Sequence, residues 1–177
     1  MSGCEWQAIC NYPLMSLFEI CQVIQGSGIG TAIRESTWVF PIIETTHVLG
    51  AALSVGLILC LDLRLTGMGM RRIPADQLMH RLKPWYLSGF VVMMMSGSLL
   101  FWSEAAKLYN SFTFRMKLVF LVLAALNALI FEIAYTPRIA GFESEGTPSG
   151  AVVAGWCSLA FWAAVIGFGR WTAYGLG

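Results

Sequence analysis

Residues 38–61 read WVFPIIETTHVLGAALSVGLILCL. A bilayer core about 30 Å thick is crossed by roughly 20 mainly apolar residues in a helix. This stretch is long enough, and Glu44 and His47 are the acid and the imidazole within it. Three more stretches pass the same test further along. Residues 84–102 hold the run GFVVMMMSGSLLFW, residues 117–135 contain Asn127 and Glu132, and residues 151–168 are almost wholly apolar. The spacing predicts an all-α protein built as a four-helix transmembrane bundle.

Composition agrees with lipid as the solvent. Hydrophobic residues make up 57% of the 177 and charged residues 12%, against roughly 25% charged in soluble domains. Too few polar groups exist to cover a water-facing surface. A net charge of +1 gives no reason to expect a nucleic-acid partner. No cleaved signal peptide is expected, because Glu5 stands where a basic segment would be and no apolar run follows it. Five cysteines form neither CxxC nor CxxCH, which argues against a thiolate zinc site and covalently attached haem. Cys4 and Cys10 are either a pair facing an oxidising compartment or unpaired small residues.

Two units follow: an N-terminal segment, residues 1–36, and the transmembrane domain, residues 37–177. The first contains PLMSLFEICQVIQGSG, in which Leu14, Leu17, Phe18, Cys21 and Ile24 share one helical face. Pro13 suits a helix start and Gly26 to Gly30 an end. This is expected to be an N-terminal amphipathic interfacial helix, with packing on the bundle as the alternative. Basic residues set orientation. Arg64, Arg71, Arg72, Arg81 and Lys83 cluster around the first loop and Arg138 adds to that side, while Arg34, Lys107, Arg115, Lys117 and Arg170 lie on the other. The dense first loop is expected in the cytoplasm, with both termini outside. Trp38, Trp85, Trp102 and Trp171 suit an aromatic belt.

Ionisable groups in a bilayer are costly, so each needs a reason. His47 lies about nine residues into its helix, roughly 13 Å deep. Gly50 and Ser54 follow on its face and leave room for a close helix or a flat cofactor. Imidazole ligates haem iron and copper. The plainer alternative is a buried histidine bonded across helices, with Glu44 a ready partner at i−3. His80, in the basic loop, sits half a membrane away, so one iron cannot take both histidines. Met93, Met94 and Met95 reach the depth of His47 on the second helix, where Gly89, Met93 and Gly97 form a stripe. Thioethers ligate haem iron and Cu(I), although plastic core packing is their commoner use. Lys117 and Arg115, at the outer start of the third helix, could anchor haem propionates or simply snorkel. Asp62 and Glu132 approach the cytoplasmic ends, where pairing with loop arginines is expected; a proton route through Glu44 and Glu132 is the bolder alternative.

Three pieces carry a resemblance: WVFPIIETTHVLGAALSVGLILCLDLRL, HRLKPWYLSGFVVMMMSGSLLF and FRMKLVFLVLAAL. They resemble the HemJ-type membrane protoporphyrinogen oxidases and the CopD-like copper-resistance membrane proteins, and are most similar to bacterial four-helix proteins with the signature W-x-F-P-x-x-E-x-x-H. The likeness covers roughly residues 34–174, including the ending GRWTAY. It implies the inner membrane of a bacterium, haem b on His47 and a functional role for Lys117. Asp62 and Arg64 depart from the Pro-Arg ending of the first helix in the HemJ-type proteins, and Asn127 stands where a histidine often occurs.

The leading expectation is therefore a haem-b membrane protein for redox or electron transfer, working with a quinone, a porphyrin or a partner redox protein. Copper handling through His47 and the methionines is a second reading. A non-catalytic subunit packed in a larger membrane complex is a third, and an oligomer or complex is expected in any case. The orientation is tested directly by a reporter fused after Gly177. It should be active only on the outer side; cytoplasmic activity would reverse the topology.

Overall fold

The computed structural model describes residues 16–142 and 146–174. The proposed Cys4–Cys10 pair and the Pro13 helix start lie outside the described residues. All regular structure described is helical. Two short helices, α1 (Leu17–Gly26) and α2 (Gly28–Glu35), precede four long ones: α3 (Val39–Leu65), α4 (Ala75–Asn110), α5 (Phe112–Ala134) and α6 (Ser149–Ala173). A 3₁₀ turn, Thr136–Gly141, follows α5. Each long helix has the length and apolar composition to cross a membrane. Large aliphatic side chains such as Leu49, Ile130 and Ile133 point outward, each at least 60% exposed, as a lipid-facing surface requires.

The expected spans all lie inside longer helices. The first loop is correspondingly shorter than the sequence suggests, because His80, Arg81 and Lys83 belong to the opening turns of α4, which runs on through Pro84. Proline is tolerated there because neighbouring groups in a membrane bundle can satisfy the freed carbonyl.

At the other end, α4 breaks at Glu104, where φ is −130° and ψ is 28°. A break frees backbone groups that lipid cannot satisfy. The N-terminal helices satisfy them. Arg34 donates to the Ser103 carbonyl at 3.2 Å, and the Ala106 amide donates to Gln25 Oε1 at 2.9 Å. Ser27 joins the two short helices: its hydroxyl donates to the Ile24 carbonyl, accepts from the Gly30 amide that opens α2, and accepts from Trp102 Nε1 at 2.8 Å. Ser16 and Glu19 form a capping box that starts α1. Helix α1 packs against the bundle through one face: Cys21 is buried and the Phe18 ring meets that of Tyr109 at 5.9 Å, while Leu17 and Val23 stay exposed. The second short helix, α2, replaces the irregular Gly26–Gly30 ending expected there.

The four spans form two hairpins. Helix α3 packs along α4 and α5 along α6, and α3 also touches α6. Helices α4 and α5, adjacent in sequence, barely meet. Small residues set the α3–α4 contact. A Cβ at Gly89 would lie 2.9 Å from the Ser54 amide nitrogen and 3.0 Å from the Gly50 carbonyl oxygen, and one at Gly50 would lie 3.0 Å from the Met93 amide nitrogen. Backbone atoms cannot yield locally, so a methyl group must part the helices. Gly89→Ala should therefore destabilise the bundle by about 1–3 kcal/mol, the usual cost of overpacking. Gly56→Ala meets nothing within 4 Å and should be neutral or stabilising by up to ~1 kcal/mol through helix propensity. Unfolding in mixed micelles measures both.

Candidate functional site

His47 is held by α4. Its Nδ1 lies 2.9 Å from the Met93 carbonyl oxygen and 3.2 Å from Ser96 Oγ. A carbonyl can only accept. Ser96 gives its own proton to the Val92 carbonyl at 2.6 Å, so its oxygen accepts as well. Nδ1 must then carry the proton, and in the neutral ring Nε2 keeps its lone pair. No hydrogen bond reaches Nε2 among the described residues. The ring rests on Gly97, where a Cβ would approach Cε1 to 2.9 Å. A stripe that includes Gly50 and the fully buried Ser54 continues from His47 along α3.

The structure brings some of the expected site residues together and separates others. Lys117 lies against α6, its Cε 3.5 Å from where a Gly169 Cβ would be. Both Lys117 and Glu44 are close enough to His47 to act on it electrostatically. Glu44 itself is exposed and makes no hydrogen bond to the ring, so the cross-helix partners of His47 are Met93 and Ser96 instead. Arg115 is exposed. Met93 is buried in a cluster with Ala124, Trp162 and Val165, whereas Met94 and Met95 turn outward at 42% and 67% exposure. No group of three or more His, Cys, Asp or Glu side chains gathers among the described residues.

A second site occupies the other half of the bundle, where α4 and α5 diverge. A cavity of about 460 Å³ opens there, within the size range of small-molecule sites. Its walls come from all four spans and are largely apolar, with Tyr86, Phe90, Phe131 and Trp162 among them. Asp62, Lys83, Asn127, Glu132 and Ser158 supply the polar groups. Two expectations are corrected here. Glu132 pairs with Lys83, across the α4–α5 gap, rather than with a loop arginine, and Thr136 also reaches it at 3.4 Å. Asp62 faces inward, 5% exposed, because it falls on the same α3 stripe as Gly50, Ser54 and Leu65. Ser158 lies beside its carboxyl group, yet Oδ2 has no hydrogen-bond partner. Glu44 and Glu132 are not brought together: Glu132 lines this cavity and Glu44 does not. Asn127 donates to the Ala154 carbonyl at 3.0 Å and so ties α5 to α6.

Fold and sites together define a multi-pass membrane protein, a four-helix bundle with an anchored histidine within one span and a largely apolar cavity that carries a few polar groups. The chain belongs to the DUF6644 family, a family of unknown function, whose model matches residues 29–175. No curated protein and no solved structure matches it.

The Asn127 bond allows a quantitative check. Asn127→Leu should cost about 0.6 kcal/mol and no more than ~2 kcal/mol, the measured range for interhelical hydrogen bonds in membranes. Unfolding in mixed micelles reads it; a larger loss would mean that Asn127 also supports something beyond this one bond.

Proposed function

We propose that the protein binds haem b through His47 and serves redox or electron transfer in a bacterial inner membrane, with both termini on the outer face. One observation carries this reading: the Nδ1–H···O=C bond to Met93 orients the imidazole and leaves Nε2 with its lone pair. Metal-ligating histidines are commonly held this way, with the second nitrogen donating to a carbonyl, which fixes the tautomer and raises ligand basicity. The close α3–α4 contact at Gly50 and Gly89 excludes a flat group between those two helices. The chain would instead hold it on the side of the second hairpin, to which Lys117 belongs.

There His47 would hold the haem through Nε2, and Met93 is the inward-facing methionine that would join it. Lys117 and Arg115 would neutralise the propionates, since bare carboxylates in lipid are expensive. Bound haem supplies one-electron chemistry, with a potential tuned by its axial ligands and burial. A quinone, a porphyrin or a redox protein would then exchange electrons with it. Copper handling is less well supported, because Met94 and Met95 face away from the bundle.

A second reading rests on the same bonds. In it His47 is purely a clamp between α3 and α4, in a subunit that packs within a larger complex. The visible spectrum of the purified protein separates these readings. A Soret band that is lost in His47→Ala, kept in His80→Ala and weakened in Lys117→Met is the expected result. Copper without a Soret band would support the copper reading. Neither chromophore nor metal, together with destabilisation by His47→Ala, would leave the clamp.

A further inference from the structure

The cavity between α4 and α5 lies apart from His47 and needs no haem to explain it. Its decisive feature is Asp62. The side chain is 5% exposed, lines the cavity, and leaves Oδ2 without a hydrogen-bond partner. An orphaned carboxyl oxygen in an apolar enclosure is costly, and such groups call for a partner. Ser158 lies beside the carboxyl group without satisfying Oδ2, and the other polar neighbours are engaged elsewhere. Lys83 is paired with Glu132, and the Asn127 amide is bonded to Ala154. A polar group brought in by a ligand, with a turn of the carboxyl group toward the cavity, would supply that partner.

The surroundings narrow its chemistry. The walls are apolar and rich in aromatic rings, so the body of the ligand is apolar and suits offset or edge-to-face ring contact. Helices α4 and α5 barely touch, which leaves a route in from the bilayer between them. A lipid acyl chain could fill the space but brings no group for Oδ2. An ammonium would sit in the same cavity as the Lys83 cation. A ketone only accepts, so it meets Asp62 only when the acid is protonated. A hydroxyl both donates and accepts, and matches Asp62 in either protonation state.

We propose that this cavity is a binding site for a lipid-soluble phenol, hydroquinone head groups included, which enters between α4 and α5 and hydrogen-bonds to Asp62. The inference is independent of whether His47 holds haem.

The test uses the full-length protein in nanodiscs and a matched set of probes: 4-nonylphenol, 4-nonylanisole, in which a methyl group replaces the hydroxyl proton, and nonylamine. Trp162 lines the cavity and gives a fluorescence signal. Saturable binding of 4-nonylphenol is expected, with 4-nonylanisole weaker by roughly tenfold to a hundredfold, the factor a hydrogen bond to a carboxyl group carries. Asp62→Leu should weaken the phenol by the same factor and leave the anisole unchanged. Should that variant misfold, Ala128→Trp, at the cavity wall on α5, keeps the question open to test: it should abolish phenol binding while helicity is retained. Equal affinity for phenol and anisole, or tighter binding of nonylamine, would overturn the proposal. So would phenol binding that survives Ala128→Trp.

Discussion

The contact between α3 and α4 at Gly50 and Gly89 is the constraint on which the rest of the bundle depends. In lipid there is little hydrophobic gain from bringing two helices together, so close packing and interhelical hydrogen bonds must supply the association. Both are present along one line. The glycines bring backbone onto backbone, and about one turn before Gly50 the same face carries His47 onto the Met93 carbonyl, Ser96 and Gly97. The histidine bond and the glycine contact have the same register. A shift of either helix by one residue would break both.

That tight pairing has a counterpart in the looseness of α4 against α5. Each hairpin satisfies itself, through His47 and Met93 in the first and Asn127 and Ala154 in the second. The hairpins join through α3 and α6, which leaves the α4–α5 side open over the cavity. The Lys83–Glu132 ion pair is the polar link across that side, set among apolar side chains. Polar groups thus fall into two sets at different depths: an imidazole with a lone pair in one half, and an unpartnered carboxyl oxygen in the other. Helix α4 departs from regular geometry at Glu104, and that kink is stabilised by α1 and α2 rather than by solvent.

Much of this was legible in the residues. Four apolar stretches of the right length specify four spans, because a bilayer admits few other solutions. His47 stood out because charge and imidazole are rare in such stretches. Its partner was harder to read: Glu44 is three residues away and on a neighbouring position, but a backbone carbonyl on another helix leaves no mark in sequence. Asp62 was read as a helix-end residue expected to meet a loop arginine. The signal for its burial was nevertheless present, since it continues the stripe of His47, Gly50 and Ser54 at helical spacing. The cavity itself depends on how the two hairpins diverge, and that is a property of packing across all four spans. Helix α2 was missed because Gly28 and Gly30 read as a break, whereas Ser27 caps a new helix there and Gly30 lets it approach Trp102.

The central claim is the state of one ring: His47 carries its proton on Nδ1 and presents Nε2 as a base. Nitrogen-15 NMR of histidine-labelled protein measures this directly. With two histidines in the chain, His80→Gln leaves a single pair of ring resonances to assign. The expected spectrum shows a protonated Nδ1 and an unprotonated Nε2, the latter shifted when haem is added. A ring protonated on Nε2, with Nδ1 bare, would contradict it.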